Sequence, residues 1–580
     1  MNIVAELRTR FEVAVRALDE GSAEFAQMVL PAQDPKFGDY QANCAMPLGK
    51  RLKKPPREIA AALVDALDVD DLCDPPEIAG PGFINLRLRN DWIAARLQAA
   101  CAGGDGLGLE SVARPRTFVI DYSSPNVAKP MHVGHIRSTV IGDALARALK
   151  CLGHRVITDN HIGDWGTQFG MILYGYKHFV DEQALAEATI DELSQVYRFV
   201  NRLVEYHAAR QETLPVLRDK LQSLTREIAE LQVAADEKPS DEQVAGAKKL
   251  QRLSSQLVQV QADIVREEGK LLAVESDHDV AALAQRHKNV GQAVLEETAA
   301  LHAGDAVNRR LWQKFLPACL NEMDRVYQLL NITFDHTLGE SFYHDALPGV
   351  VAELKEKGIV EESDGAQCIF FKEFRAPMIV QKRDGAFLYA TSDLATIQYR
   401  MREWNPDAIL YVVDHRQSQH FKQLFAAARR WGYDEVELQH IAFGAVLGKD
   451  GKPYKTRTGS AVGCALKIVS ENDDARETPL LSQDERREVA RRIGIGAVKY
   501  ADLAHNRESD YVFSFEKMLA MTGNTATYMQ YSYARICSIC EKADIDRDSL
   551  RESAPPVQLG APQERALGAA LLRLGEAPGR

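Results

Sequence analysis

Residues 121–137 concentrate side chains that can bind a phosphate chain. The segment reads DYSSPNVAKPMHVGHIR; it follows a run typical of a buried strand and opens a stretch with helical periodicity. His132 and His135 lie on one face of the first turn, where free N–H groups attract anions. Gly134 leaves room for a flat ring on the backbone, and Lys129 adds a positive charge. We predict a nucleotide site without a Walker loop; the alternatives are a metal site or two core histidines.

A basic loop further along the chain is the second candidate. LGKDGKPYKTRTG (447–459) follows a predicted strand and alternates lysine with glycine. Lys455 and Arg457 can stabilise the charge that builds up on a departing pyrophosphate. Because basic glycine-rich loops are usually solvated turns, this pattern alone is a weak indication of a phosphate site. Together with the histidine segment it becomes a strong one.

Carboxylates at strand ends indicate a pocket for a cation. Tyr389 and Asp393 are four residues apart at a strand-to-helix junction, and Asp121 and Asn126 come from the end of the first buried strand. A planar guanidinium pairs with a carboxylate through two parallel hydrogen bonds. The alternative is that Asp393 only caps a helix.

The elements that must position these groups follow an α/β pattern. TFVIDYS (117–123), a helical segment ending near Gly153, and RVITDNH (155–161) form a βαβ unit, which implies parallel strands. Later strand candidates are QCIFF, APMIVQK, AFLYAT, AILYVV and HIAFGAV. We predict a Rossmann-type parallel-sheet catalytic domain formed by residues 113–205 and 301–484.

Three further units flank or interrupt this domain. Residues 1–112 predict an α+β domain, with a helix from Arg57 to Leu67 and a strand from Phe83 to Leu88. Residues 206–300 repeat leucines at coiled-coil spacing and predict an inserted helical hairpin, either solvated or in contact with a partner or RNA. Residues 485–580 predict an all-α bundle.

Composition restricts the class of protein. The chain has 580 residues, 46% hydrophobic and 26% charged, which excludes collagen-like and wholly disordered proteins. The sequence contains no run of about 18 apolar residues, so it predicts no membrane span. The charged N-terminus does not resemble a signal peptide. A net charge of −12 argues against non-specific coating of nucleic acid. Nine scattered cysteines predict a reducing cytoplasm.

The longer motifs resemble one family. His132-Val-Gly-His135 resembles the HIGH signature of class I aminoacyl-tRNA synthetases. Six longer segments resemble the arginyl-tRNA synthetases in particular, and this likeness spans nearly the whole chain outside 206–300. They are SSPNVAKPMHVGHIRST, GDWGTQFG, YATSDLA, HRQSQHF, GIGAVKYADL and GNTATYMQYSYAR. The resemblance implies a ligase that activates L-arginine with ATP and Mg²⁺, without a tightly bound protein metal. The product is transferred to tRNA(Arg) by a cytoplasmic monomer.

The resemblance also implies roles for individual residues. It assigns catalysis to His132, His135, Lys129, Lys455 and Arg457. It assigns ATP contacts to Gly134, His132, His135, Phe443 and Val446. It assigns the arginine pocket to Asp121, Ser123, Asn126, Tyr389, Asp393 and Gln417. It assigns tRNA contacts to Phe37, Tyr40, Gln41, Asn43, Tyr528, Gln530, Tyr533 and Arg535.

Two departures from the family pattern matter. The lysine-rich KMSK signature is degenerate, because Thr456 stands where its second lysine is expected, so Lys129 becomes the leading candidate to replace that charge. The C-terminal anticodon-binding-like bundle stops early, and we expect several more helices after Ala577. Two rival hypotheses are another ligase on the same fold and a non-enzymatic binding remnant; arginine-dependent activation separates them from the favoured one.

Overall fold

The computed structural model shows an α/β protein built around one parallel sheet. Among the helices it describes, none is long and apolar enough to cross a membrane. The described residues are 2–102, 109, 111–127, 131, 133–180, 189–235, 240–449, 451–452, 459–475 and 480–579.

The N-terminal residues form a small antiparallel sheet covered by helices. Its strands are β1 (Val29–Pro31), β2 (Tyr40–Ala42), β3 (Glu77–Ala79) and β4 (Phe83–Leu86), in the order β1-β2-β4-β3. Buried apolar side chains between sheet and helices make the core. The helices are α1 (Ile3–Leu18), α2 (Ala45–Leu52), α3 (Pro56–Ala66) and α4 (Asn90–Ala102). The predicted helix and strand are confirmed at α3 and β4.

The central sheet confirms the predicted parallel fold. Its strands are β5 (Thr117–Asp121), β6 (Arg155–Asn160), β7 (His336–Thr337), β11 (Ala408–Tyr411) and β12 (Glu437–His440). They are ordered β12-β11-β5-β6-β7, and every neighbouring pair is parallel. Their carboxyl ends therefore lie at one edge, where ligands bind in open α/β sheets.

Smaller sheets and helices surround it. An antiparallel sheet contains β8 (Glu361–Ser363), β9 (Ala366–Ile369) and β10 (Met378–Gln381), while β13 (Val446–Leu447) pairs in parallel with β14 (Tyr511–Val512). The helices around the sheets are α5 (Val133–Cys151), α6 (Thr167–Phe179), α7 (Thr189–Ala208), α12 (Ala306–Leu330), α13 (Glu340–Tyr343), α14 (Leu347–Glu356), α15 (Tyr389–Trp404) and α16 (Ser418–Trp431).

Two predicted strands are wrong. AFLYAT contributes only an isolated bridge at Phe387, and helix α15 begins at Tyr389, because buried residues there recur at helical rather than strand spacing. HIAFGAV is not one strand: β12 ends at His440 and β13 begins at Val446. Between them the backbone at Gly444 packs so tightly on residue 509 that a Cβ would lie 2.4 Å from its carbonyl carbon.

The predicted helical hairpin is confirmed. Helices α8 (Leu214–Ala235) and α9 (Ser240–Glu275) pack antiparallel, as the Arg218–Glu268 and Lys249–Glu227 ion pairs show. Leucine, isoleucine and valine side chains fill the seam between them. The chain then returns through α10 (His278–Arg286) and α11 (Val290–Ala303), which pack on α6 and α7.

The C-terminal part is helical, and its end folds back on the N-terminal sheet. Arg565 forms a bidentate ion pair with Asp39, and the Glu576 carboxylate accepts a hydrogen bond from Tyr40. The helices are α17 (Gly459–Asp474), α18 (Gln483–Ala504), α19 (Phe515–Met518), α20 (Ala526–Lys542), α21 (Arg547–Ser553) and α22 (Pro562–Leu572).

A buried ion triad joins helix α15 to the central sheet. Asp121 and Asp159 occupy paired positions at the ends of β5 and β6. The Arg400 Nη2 atom lies 2.6 Å from the Asp121 carboxylate and 2.8 Å from that of Asp159. The arginine side chain is completely buried and lies 5.4 Å from the ring of Tyr411 on β11. One guanidinium thus connects three neighbouring strands to the helix above them.

Arg400→Met is expected to destabilise the sheet strongly, because it leaves two buried carboxylates without their counter-charge. Breaking a buried pair costs about 3–5 kcal/mol, whereas an exposed pair contributes about 0–1 kcal/mol. The matched control is Arg402→Met on the same helix, where an exposed Arg402 pairs with Glu403. In a thermal melt, Arg400→Met should unfold at least about 5 °C below the control. Equal melting temperatures would contradict the role given to the triad.

Candidate active site

The turn after β5 is locked by internal hydrogen bonds. Ser123 and Ser124 have φ angles of 73° and 43°, a region that non-glycine residues rarely adopt. The Ser123 N–H donates to Ser138 Oγ over 3.0 Å, and its hydroxyl lies 2.8 Å from the Tyr327 hydroxyl. The Ser124 N–H donates to the side chain of Asn160. These bonds hold the chain in a sharp turn that leads to the histidine segment.

The loop that follows β6 packs directly against this turn. Asn126 forms a bridge with Gly163, whose N–H donates to the Pro125 carbonyl over 3.0 Å. A Cβ at Gly163 would lie 3.1 Å from the Asn126 amide, so glycine permits the close approach. The GDWGTQFG segment is thereby placed at the carboxyl edge of the sheet, next to the start of α15.

Acidic and polar side chains converge between that loop, α13 and α15, in a cluster here called the acidic pocket. Glu340 Oε2 and the Tyr389 hydroxyl lie 3.8 and 3.9 Å from the point that a Cβ on Gly166 would occupy. Gln168 Oε1 lies 2.9 Å from the same point. Within the described residues, that buried oxygen has no hydrogen-bond partner. The pocket therefore presents a carboxyl group, a phenol and an unsatisfied amide oxygen around a glycine.

Asp393 adds a second carboxylate one turn along α15. Its Oδ2 lies 2.6 Å from His420 Nε2 on α16. Burial lowers the pKa of His420, but the hydrogen bond and charge of Asp393 outweigh it, so the pKa is raised overall. Below that raised pKa the imidazolium and carboxylate form a charge-assisted pair that orients Asp393.

The protonation of Glu340 is poised near neutrality. Burial raises its pKa to about 7; His161 opposes this rise, while Asp164 and Asp393 add to it. The Asp164 carboxylate already has partners within the chain, because it accepts hydrogen bonds from the backbone N–H and the hydroxyl of Ser341. A cation entering the pocket would relieve the repulsion and favour the ionised form of Glu340.

The residues predicted for the arginine pocket thus divide into two groups. Tyr389 and Asp393 lie on the pocket side of α15, and Asn126 supports the loop that closes it. Asp121 is buried and already pairs with Arg400, and Ser123 is buried among internal partners. Gln417 is exposed in a short 3₁₀ helix beyond β11 and is not among the side chains that lie near Gly166.

Near the segment predicted to bind the nucleotide, buried Arg137 joins two elements. Its guanidinium donates to the carbonyl oxygens of Gly444, Arg507 and Ser509, and lies 3.8 Å from Asp502. Helix α5, which begins in the histidine motif, is therefore bound to the segment between β12 and β13. Burial raises the pKa of Asp502 to about 7, with Arg137 and a Tyr511 hydrogen bond opposing the rise.

Several nucleotide-site predictions fall outside what the structure describes. The described residues do not include Lys129, His132, Lys455 or Arg457, and they do not describe the surroundings of Gly134. His135 is partly buried in the first turn of α5. The side chains of Phe443 and Val446 are 4% exposed and pack in two apolar cores, which leaves only their backbone to meet a nucleotide.

The residues predicted to contact RNA also divide. In the N-terminal part Phe37 is exposed, with Lys36 Nζ 4.7 Å from its ring centre, whereas Tyr40 is buried against Glu576. Gln41 donates to Asn85, and the buried Asn43 Oδ1 lacks a partner among the described residues.

Helix α20 presents the other predicted RNA contacts. Tyr528, Tyr533 and Arg535 are exposed on its surface, with 64% of Tyr533 accessible. Gln530 instead donates to the Arg492 carbonyl and packs against Gly496. The exposed aromatic residues can stack on unpaired bases, whereas Gln530 serves the packing of α18 on α20.

Sequence reasoning missed Glu340, Gly166, Gln168 and His420. Gly166 and Gln168 belong to the GDWGTQFG motif, and His420 to HRQSQHF, so those strings marked the right segments without giving a role to each residue. Glu340 lies in no quoted motif. Its position became visible only when the fold brought α13 beside α15.

Comparison with known proteins finds matches along nearly the whole chain. The family described as tRNA synthetases class I (R), catalytic domain, matches residues 104–230 and 229–515, and the arginyl tRNA synthetase N terminal domain matches 5–88. An arginine–tRNA ligase of Rhodopirellula baltica is 47% identical across 100% of this chain and 89% of its own.

More distant relatives extend the likeness. An arginine–tRNA ligase of a Marinomonas species is 37% identical over 100% of this chain and 88% of its own. The crystal structure of the Plasmodium falciparum arginyl-tRNA synthetase has the same fold, with a TM-score of 0.70 and 24% identity over 99% of this chain and 87% of its own. This chain belongs to the arginyl-tRNA synthetases, a family of class I aminoacyl-tRNA synthetases.

Proposed function

We propose that the chain activates L-arginine with ATP and transfers it to tRNA(Arg), and that the acidic pocket recognises the guanidinium group. The observation that carries this proposal is the convergence of Glu340 and Tyr389 beside Gly166, with Asp393 one helical turn farther along α15 and close enough to raise the pKa of Glu340. Two carboxylates suit a planar cation with five N–H donors. The positive charge of arginine would oppose the mutual repulsion of Glu340 and Asp393, which a neutral side chain of the same shape could not do.

The first step joins arginine to AMP. An oxygen of the arginine carboxylate attacks the α-phosphorus of ATP, and the bond from that phosphorus to pyrophosphate breaks. ATP enters as its magnesium complex. His132, His135 and Lys129 stabilise the charge that develops, and Lys455 and Arg457 support them. The chain supplies no nucleophile, so the catalysis consists of positioning and charge stabilisation.

The second step moves arginine to RNA. A hydroxyl of the terminal adenosine attacks the adenylate carbonyl, and AMP leaves. We assign the RNA contacts to exposed groups: Phe37 in the N-terminal sheet region and Tyr528, Tyr533 and Arg535 on α20. Tyr40, Gln41 and Gln530 instead stabilise the packing of these two regions.

Eight cysteines in the described part of the chain are free thiols, which suits a reducing cytoplasm.

Arginine should bind more tightly as pH rises through 7. Free Glu340 titrates near pH 7, whereas the bound guanidinium requires it ionised, so binding below pH 7 must release a proton. We expect the dissociation constant at pH 6 to be about tenfold larger than at pH 8. Calorimetry in buffers of different ionisation enthalpy measures both the affinity and the proton release.

Glu340→Gln is the matched control for this pH dependence. It keeps the size of the side chain but cannot titrate, and it should bind arginine about 10²-fold more weakly because a charged hydrogen bond is lost. His420 remains in the variant, so any residual slope belongs to the Asp393 pair. If Glu340→Gln retained the native tenfold slope, Glu340 would not be the titrating group.

Gly166→Ala should raise the KM for arginine at least about tenfold, because its methyl group enters the pocket between Gln168 and Glu340. The φ angle of Gly166 is −88°, so alanine brings no backbone strain, and the melting temperature should not change. The control is Gly349→Ala on α14, where a Cβ meets nothing within 4 Å. Equal KM values for the two variants would place the guanidinium elsewhere.

Lys129→Ala should lower kcat for arginine activation by about 10²-fold, in line with the loss of one preorganised charge. Lys455→Ala, made in parallel, should cost less, because the degenerate signature assigns Lys455 only a supporting role. Pyrophosphate exchange in the presence of tRNA measures both. An unchanged kcat in Lys129→Ala would return the main role to Lys455.

A further inference from the structure

Two consecutive peptide groups beside the acidic pocket accept hydrogen bonds from side chains of α11 and α12. The Asp164 carbonyl oxygen accepts from Trp312 Nε1 on α12 over 2.8 Å. The Trp165 carbonyl oxygen lies 2.6 Å from His302 Nε2 on α11. Because a carbonyl oxygen can only accept, that nitrogen carries the proton and donates it. Both bonds therefore act on the backbone that directly precedes Gly166.

The first of these peptide groups also meets Glu340. Asp164 supplies its C=O and Trp165 its N–H, and in a planar trans peptide these two groups point in opposite directions. The Trp165 N–H forms a hydrogen bond to the Glu340 carboxyl group, which opposes the rise in the pKa of that group. Trp312 therefore binds one side of the peptide and Glu340 the other. A rotation of the peptide would turn the N–H away from the carboxyl group.

The second peptide group joins Trp165 to Gly166, the residue around which the acidic pocket converges. Besides its hydrogen bond, the His302 ring stacks on the Trp165 indole, with 5.5 Å between ring centres and 10° between the planes. The indole Nε1 donates to His344 Nδ1 over 3.1 Å. The backbone, the ring face and the ring nitrogen of Trp165 each have a partner, so this residue is fixed in one orientation.

A short corner between α11 and α12 sets the distance between the two donors. Gly304 ends α11 with a φ angle of 88°, which favours glycine. The Asp305 carboxylate then caps α12 by accepting from the Asn308 N–H over 2.9 Å. His302 thus lies in the last turn of α11 and Trp312 in the second turn of α12. The two donors belong to one structural unit that packs against the pocket loop.

We propose that His302 and Trp312 are positioning residues for the substrate guanidinium, because they fix the peptide groups that bind Glu340 and carry Gly166. The inference rests on the proposed function and deepens it, since it names what holds the acidic pocket in shape. Both residues act through the backbone of 164–166. The pocket binds the guanidinium and not the reacting carboxylate, so the loss of either donor should weaken arginine binding and leave the chemical step unchanged.

His302→Leu and His302→Gln separate the hydrogen bond from the packing. Leucine keeps an apolar contact with the indole but donates no proton, whereas the glutamine amide can donate to the same carbonyl oxygen. In ATP–pyrophosphate exchange with tRNA(Arg), His302→Leu should raise the KM for arginine about fivefold, with kcat and the KM for ATP changed by less than about twofold. His302→Gln should restore the native KM. The control is His278→Leu, at a fully exposed histidine of α10.

Trp312→Phe tests the second donor. Phenylalanine keeps an aromatic ring against the edge of Trp165 but removes the indole N–H. The KM for arginine should again rise about fivefold. The pH dependence of arginine binding, measured by calorimetry, should move to higher pH, because Glu340 loses a hydrogen bond that favours its ionised form. Trp92→Phe in the N-terminal core is the control. The other titratable groups around Glu340 are unchanged in these variants: His161, Asp164, Tyr389 and Asp393.

The outcomes separate this inference from the proposed function. Exchange in the native chain that does not depend on arginine would remove the proposed function and the inference with it. If native exchange depends on arginine but His302→Leu and Trp312→Phe keep the native KM, only the positioning role is overturned, even if both variants melt at lower temperature. An equal rise in KM for His302→Leu and His302→Gln would assign the effect to packing and would overturn the role of the hydrogen bond.

Discussion

The ion triad of Arg400, Asp121 and Asp159 is the constraint on which the active site depends. It lies at the carboxyl ends of β5 and β6, where side chains could otherwise bind a ligand, and it fills that place with the protein's own guanidinium. Asp393 precedes Arg400 by seven residues, two helical turns on the same face of α15. Holding Arg400 in the sheet therefore fixes the height and rotation at which Asp393 enters the pocket.

The crowding of its acids is the physical basis of the selectivity that we propose for the pocket. Glu340 has a raised pKa, Asp164 is satisfied by Ser341, and Asp393 is paired with His420. A cation is the ligand that lowers the electrostatic cost of this arrangement, and a planar guanidinium can meet two carboxyl groups at once. Gly166 keeps the space open. The start of α5 is fixed separately, because buried Arg137 joins it to the segment between β12 and β13. The proposed nucleotide site and the acidic pocket therefore depend on different contacts at one edge of the sheet.

Much of this could be predicted from sequence, and the failures have physical reasons. A continuous apolar run, helical periodicity and the Gly153 helix end predicted β5, α5 and β6 correctly, because these signals are local in the sequence. AFLYAT failed because helix and strand periods cannot be told apart in six residues. Asp121 illustrates the harder case: a carboxylate at a strand end predicts a ligand site, but its partner Arg400 lies far along the chain. Glu340 was missed for the same reason, since only tertiary packing brings it to Tyr389.

The central claim is that the pocket recognises the positive charge of arginine. The most direct test is ATP–pyrophosphate exchange in the presence of tRNA(Arg), with arginine compared against citrulline, which has nearly the same shape but no charge. Exchange that depends on arginine and tRNA, with citrulline less active by at least about 10³-fold, is the predicted result. Exchange with citrulline at a similar rate would show that the crowded carboxylates do not select the substrate, and would contradict the account.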